Sequence, residues 1–172
     1  MTKKTFLAFA VIFTLLFTVW GIVRTVKSVS FSTNCTQYLK RAADATSVEM
    51  AKKELEKAIF YAESKNLTHG RVSIFLNQPV NDIGYWYENM KVSYEELENL
   101  PDDSSPLEKT NVLMKLRETL TDSSDGSLVV TIPEGISIYP YNVSYFWWGL
   151  ISSIGAILFW ILLIIAYVED WD

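Results

Sequence analysis

The sequence is short of the residues on which most catalytic and metal sites are built. Its 172 residues include one cysteine and one histidine, so an intrachain disulfide and a cysteine-based metal cluster are both excluded. His69 stands beside Gly70 and has no second metal ligand three or four residues away. Cys35 has no neighbouring base in the sequence, and we expect it to be a small buried side chain rather than a nucleophile.

Glycine and positive charge are also scarce. The 7 glycines are scattered singly, which excludes a glycine-rich phosphate loop. The 15 basic residues are outnumbered by 20 acidic ones, whereas a nucleic-acid partner requires a basic face. We therefore predict no catalytic residue, no metal, no cofactor and no nucleic-acid partner, and we expect that the protein is not an enzyme.

Charge is missing altogether from two long windows near the ends of the chain. Residues 6–23 are uncharged between Lys3-Lys4 and Arg24, and residues 145–168 are uncharged as well. A helix needs about 20 apolar residues to cross the hydrocarbon core. A cleavable signal peptide has a shorter apolar region that ends at a small-x-small site, and residues 6–23 lack such a site. The sequence thus predicts two transmembrane helices, a tail at residues 1–5 and another at residues 169–172.

Aromatic residues flank the second window and predict a membrane-interface belt. Lys3 and Lys4 favour a cytoplasmic N-terminus by the positive-inside rule. Two spans then place both termini in the cytoplasm and residues 24–144 outside it, with the lipid bilayer as a partner. The predicted belt residues are Tyr145, Trp147, Trp148, Tyr167 and Trp171.

Small residues in the second window predict a helix-packing face. Their small-xxx-small spacing allows two helix backbones to approach closely. The neighbouring helix is either the first span of the same chain or a helix of another protein, and the sequence leaves both open. These residues are Gly149, Ser152, Ser153, Gly155 and Ala156.

Residues 24–144 read as a soluble, mainly helical α+β domain with a small β-hairpin. Apolar residues at steps of three and four predict helices through residues 38–62. The capping signals predict a restart at Thr46, a second helix after Asp82 and a third after Ser105, which has Pro106 and Glu108 at the expected positions. Short strands are predicted at residues 72–75, 128–132 and 136–139, and a loop at residues 121–126. The last two strands are predicted to pair as the hairpin, joined by Pro133-Glu134-Gly135.

Three adjacent aromatic residues start the second of these helices. Tyr85, Trp86 and Tyr87 cannot all face the core of one helix, so we predict that at least one is exposed as a possible partner surface. The plainer interpretation is a core residue with a partly covered tyrosine beside it.

Four segments, residues 35–45, 48–55, 82–87 and 133–140, resemble a group of uncharacterised bacterial two-transmembrane-helix proteins. The resemblance covers most of the middle domain. It implies a bacterial plasma membrane and brings no activity with it.

The favoured hypothesis is a non-enzymatic accessory or scaffold subunit that binds another protein, or a second copy of itself, through its extracytoplasmic domain. One alternative is a channel- or transporter-associated subunit, although neither window carries the ionisable groups of an ion pathway. Another alternative is a membrane-anchored sensor whose ligand lies between helices.

Overall fold

The structure, a computed structural model, describes residues 2–75, 77–124 and 127–168. The predicted tail at residues 169–172 lies outside this range. The chain divides into two compact units: residues 1–27 with 141–172, here called the helical pair, and residues 28–140, here called the middle domain. In chain order the elements are α1 (Lys3–Phe31), a π-helical turn (Ser32–Thr36), α2 (Gln37–Ala43), α3 (Val48–Ser64), a 3-10 turn (Pro79–Asn81), α4 (Ile83–Glu98), α5 (Pro106–Leu120), β1 (Thr121–Ser124), β2 (Ser127–Val130), a 3-10 turn (Ile136–Ile138) and α6 (Asn142–Val168).

The helical pair contains two helices that are long and apolar enough to cross a membrane. Each begins three residues before the predicted window, at Lys3 and at Asn142. Phe9 stacks on Phe159 with ring centroids 4.9 Å apart, and the Trp20 indole N–H donates to the Tyr145 carbonyl over 2.8 Å. The first contact joins the start of α1 to the later part of α6, and the second joins a later part of α1 to the start of α6, so the two helices run antiparallel.

Helix α3 presents a face of small side chains to the core of the middle domain. Its N-cap is Ser47, whose hydroxyl accepts the Met50 backbone N–H over 3.2 Å. The predicted restart is confirmed, and the cap lies one residue after Thr46. Helices α2, α4 and α5 and the π-helical turn all contact α3. Its fully buried residues are Ala51, Leu55, Ala58 and Ala62.

Local capping chemistry fixes where α4 and α5 begin, and both predicted starts are confirmed. The Asp82 carboxylate accepts the Tyr85 backbone N–H over 3.1 Å. Ser105 and Glu108 form a reciprocal capping box. The Ser105 backbone N–H donates to the Glu108 carboxylate and holds its pKa below the ordinary value, since hydrogen bonds to the charged form favour that form.

The small sheet exists, but the predicted partner strand is wrong. Strand β2 pairs antiparallel with β1, within the segment predicted as a loop, and not with residues 136–139. The register runs from Thr121 opposite Val130 to Ser124 opposite Ser127; residues 125 and 126 are outside the described range. Ile136–Ile138 forms a 3-10 turn after Gly135, which has the positive φ of 83° that favours glycine.

The strand predicted at residues 72–75 is also wrong. Instead, Arg71 forms an isolated bridge with Asp82, and the Val72 N–H donates to the Asn81 carbonyl over 3.1 Å. The backbone groups of this segment are therefore used to close a loop. The strand propensity of residues 72–75 led to a wrong prediction, because the segment is anchored by a single buried residue, Val72.

One buried carboxylate on α3 has no counterpart in the sequence analysis. Glu54 is almost fully buried, and its oxygens lie 3.2 Å from the Arg41 guanidinium and 2.9 Å from the Lys57 ammonium. Lys57 itself is partly exposed. The two cations explain how a carboxylate is tolerated there, since buried charges require partners.

Candidate functional site

The middle domain contains a partly open cavity of about 440 Å³, within the size range of small-molecule sites. We call it the Trp86 cavity. Three parts of the chain form its wall: one face of α4, the end of α5 with the segment after β2, and the loop that includes Arg71 and residues 77–82. The described lining residues are Arg71, Asn77, Gln78, Pro79, Val80, Asp82, Tyr85, Trp86, Asn89, Met90, Thr119, Leu120, Thr131 and Pro133.

Backbone hydrogen bonds hold these stretches in place. The Ile83 N–H donates to the Gly70 carbonyl over 2.9 Å, and with the Val72 bond to Asn81 it closes the loop at its base. On the opposite wall the Thr131 N–H donates to the Leu120 carbonyl, also over 2.9 Å. Thus both walls are tied to regular structure, although the lining residues are far apart in sequence.

The floor of the cavity is apolar. Trp86 is 7% exposed, and Met90 and Leu120 are also buried. The Trp86 ring lies 6.4 Å from the ring of Phe31, centroid to centroid, which helps to fix its orientation. A preformed apolar floor of this kind suits an aliphatic or aromatic group of a ligand.

The polar groups of the lining include one ion pair. Asp82 directs one carboxylate oxygen to the Tyr85 N–H, as the cap of α4, and its other oxygen lies 3.7 Å from the Arg71 Nε. The side-chain amides of Asn77, Gln78 and Asn89 supply further donors and acceptors. The lining therefore combines an apolar floor with dipolar and charged groups of both signs.

The three aromatic residues predicted as a possible partner surface lie in different environments. Tyr85 is 69% exposed and lines the cavity, while Trp86 is buried in its wall. Tyr87 does not line the cavity; its hydroxyl donates to the Glu63 carboxylate over 2.6 Å. The three residues thus have three different environments.

Two of the small residues predicted as a packing face, Gly149 and Gly155, lie against the first helix of the same chain. A Cβ atom at Gly149 would lie 2.7 Å from the Trp20 ring, and one at Gly155 would clash with the Phe13 ring. Ser152 is buried and donates to the Trp148 carbonyl over 2.7 Å. Ser153 and Ala156 are partly buried.

The predicted belt residues lie at both ends of α6. Tyr145 and Trp148 are partly buried and Trp147 is exposed. The Lys3 ammonium lies 4.6 Å above the exposed ring of Tyr167. Trp171 is outside the described residues.

Cys35 and His69, whose sequence contexts do not favour catalysis, are not among the described residues of the cavity lining. Cys35 is fully buried, and its sulfur lies 4.0 Å from the Ala58 carbonyl oxygen. A ring nitrogen of His69 lies 3.0 Å from the Thr68 hydroxyl. Within the described ranges, no group of three or more His, Cys, Asp or Glu side chains is placed to hold a metal ion.

Sequence reasoning missed most of the cavity. Arg71, Thr119 and Thr131 carry no motif, and they come from segments that only the folded chain brings together. The usable signals were local ones: the N-cap Asp82 and the aromatic residues that follow it. Those signals place a helix start but do not reveal what packs opposite to it.

We predict that Tyr87 ionises late. Burial, followed by the hydrogen bond to Glu63 and its negative charge, raises the Tyr87 pKa to about 12. Because an unfolded tyrosine ionises near pH ~10, the free energy of unfolding should fall as the pH rises from ~10 to ~12. The difference in tyrosinate absorbance between wild type and Tyr87→Phe should show a titration near pH 12.

Glu63→Gln should move that titration to lower pH, because the variant removes the charge that opposes tyrosinate formation. Glu88→Gln is the matched control, since the charge of Glu88 is the smallest of the named causes and its removal should produce a smaller shift. An equal shift in both variants would show that the contact with Glu63 is not responsible.

Comparison with known proteins gives no relative from which a function can be transferred. No family model matches the sequence, and no curated protein and no solved structure matches it. The function of the chain is therefore argued from its own residues and geometry.

Proposed function

We propose that this chain is an integral membrane protein, anchored by α1 and α6, whose middle domain binds a small molecule with an apolar body in the Trp86 cavity. The observation that carries the proposal is the cavity itself, with its apolar floor and its charged and amide groups. A protein that recognises a ligand and is fixed to a membrane at both ends acts as a sensor or a binding subunit. This was one of the alternatives left open by the sequence.

The exposed apolar surface of the helical pair supports membrane insertion. Only 6% of the most apolar window of the first helix is buried, and 22% of that of the second. The core helix of a soluble protein would be largely buried. A contiguous apolar surface of this extent is typical of lipid contact, and the aromatic residues at both ends of α6 fit the membrane interface.

The chemistry of the cavity favours binding over catalysis. Asp82 is the single carboxylate of the described lining, and it is engaged as a helix cap and as the partner of Arg71. The described lining contains no histidine and no cysteine. An acid–base or nucleophilic mechanism needs a positioned pair of such groups. We therefore propose that the ligand leaves the cavity unchanged.

We predict that filling the cavity abolishes binding. Thr131 lines the cavity and is exposed, and its backbone N–H is bonded to Leu120, so Thr131→Trp adds an indole without removing a buried side chain. Four phenylalkyl probes are used: L-phenylalanine, 3-phenylpropionate, 2-phenylethylamine and N-acetyl-L-phenylalaninamide. Saturation-transfer NMR on the full chain in detergent should detect binding of at least one probe to wild type and lose it in Thr131→Trp.

Thr110→Trp is the matched control, because Thr110 is an exposed threonine of α5 outside the cavity lining. It should bind as wild type does. Partition of a probe into detergent should give the same signal with wild type, Thr131→Trp and Thr110→Trp. A signal that is lost only in Thr131→Trp therefore reports binding in the cavity. Signals that are absent from wild type, or equal in the three proteins, would contradict the proposed function.

We propose further that the membrane is the bacterial plasma membrane, with the termini in the cytoplasm and the middle domain outside it. The supporting features are Lys3 and Lys4 at the N-terminus and the resemblance of the middle segments to bacterial two-span proteins.

Leu107→Cys should make the middle domain reactive from outside the cell. Leu107 is 70% exposed on α5, whereas the native Cys35 is fully buried. A membrane-impermeant maleimide should therefore label the variant in intact spheroplasts of a bacterial expression host and leave wild type unlabelled. Labelling of the variant only after lysis would place the domain in the cytoplasm.

A second candidate function is the accessory or scaffold subunit favoured by the sequence. Its specific support is an open groove of about 420 Å³ on α3 and the π-helical turn, lined by Tyr38, Phe60 and Tyr61 among others. Phe60 is 71% exposed, and large exposed aromatic residues are common at protein interfaces. We propose that an apolar segment of a partner protein occupies this groove.

Phe60→Ser should release that partner. Affinity purification of the tagged chain from its native host should recover a defined complex with wild type and with Leu107→Ser, which replaces a similarly exposed apolar residue. The complex should be lost with Phe60→Ser. A monomer without a co-purifying protein, or equal recovery by the two variants, would contradict this second function.

A further inference from the structure

We propose that the ligand of the Trp86 cavity is an apolar α-amino acid, held by its ammonium and carboxylate groups at Asp82 and Arg71 and by its side chain on Trp86. The inference rests on the binding function proposed above and specifies the chemistry of the ligand.

The ion pair of the lining is looser than the others in the middle domain. The Arg71 Nε lies 3.7 Å from the Asp82 carboxylate oxygen, whereas the other ion pairs of the described residues span 2.8–3.2 Å. Both side chains are partly exposed. A guanidinium has five N–H donors in a planar fork and can bind a carboxylate bidentately. Arg71 therefore has the capacity to bind a second anionic group beside Asp82.

Because Arg71 and Asp82 lie side by side, the cavity disfavours a ligand that is only an anion or only a cation. An anion attracted by Arg71 is repelled by Asp82, and a cation attracted by Asp82 is repelled by Arg71. A ligand that carries both charges close together complements both residues. The ammonium and carboxylate of an α-amino acid are joined through a single carbon, so they form such a dipole.

The floor defines the rest of the ligand. The apolar lining residues Trp86, Met90 and Leu120 are all buried. Leaving a charged or strongly polar side chain against these groups without a partner is unfavourable. The side chain of the amino acid is thus aliphatic or aromatic.

The geometry of Asp82 keeps its charge in position. One carboxylate oxygen is fixed by the Tyr85 N–H over 3.1 Å, and the other faces Arg71. Asn caps a helix about as well as Asp, so Asp82→Asn removes the charge while it retains the start of α4. Arg71→Gln removes the opposite charge.

The four phenylalkyl probes test the inference, because they share an aromatic body and differ in charge. Ligand-observed NMR titrations of the full chain in detergent should give the lowest dissociation constant for L-phenylalanine, by about fivefold to tenfold over each of the other three, as expected for partly exposed ion pairs. Arg71→Gln and Asp82→Asn should each remove most of this preference. Arg117→Gln, which breaks the 3.2 Å pair with Asp44 outside the cavity lining, should leave it unchanged.

Each other outcome has a distinct meaning. Probes that bind equally, with binding still lost in Thr131→Trp, would overturn the amino-acid assignment and leave the binding function intact. Tighter binding of the dipeptide L-leucyl-L-leucine than of L-phenylalanine would overturn it in favour of a peptide. An equal loss of preference in Arg117→Gln would show that the ion pair of the cavity is not the cause. Absence of binding by every probe would overturn the inference and the proposed function together.

Discussion

The architecture of the middle domain depends on the small side chains along the buried face of α3. Three alanines on this face are fully buried, and helices can approach a surface of this kind closely. The π-helical turn, α2, α4 and α5 all contact α3, and through α4 the same core supports the wall of the Trp86 cavity. A larger side chain on this face would separate the helices and would also alter the cavity, because tightly packed interiors transmit such displacements.

In the helical pair, small residues of one helix accommodate aromatic rings of the other. Gly149 faces Trp20 and Gly155 faces Phe13, so at these two positions the packing face of α6 is used within the chain. The outward side chains are mainly branched aliphatics, such as Ile22 and Ile157. A helix of another protein that joined the pair would therefore contact a face without these two glycines, and close backbone contact there would be less favourable.

Local signals in the sequence predicted helix starts better than they predicted the sheet or the site. Asp82 and Ser105 act within one helical turn, so their roles are visible in a few residues. The predicted pairing of β2 with residues 136–139 was wrong. The alternation of Ile136 and Ile138 fits a strand, but it also fits the buried 3-10 turn that they form. The cavity was not predictable at all, because Arg71, Leu120 and Thr131 are joined only by tertiary contacts. The burial of Glu54 was not predictable for the same reason, since its partner Arg41 lies on a different helix.

The double role of Asp82 links the cavity lining to the start of α4. One carboxylate holds the first turn of α4 and also belongs to the lining of the cavity. A ligand held at Asp82, as proposed above, would change the charge beside the cap of α4, so binding in the cavity and the stability of the first helical turn would be thermodynamically coupled. Such coupling is reciprocal: whatever steadies or loosens the beginning of α4 from its other side also changes the affinity of the cavity. Helix α4 packs on α3, so a ligand bound as proposed would act on a helix of the domain core.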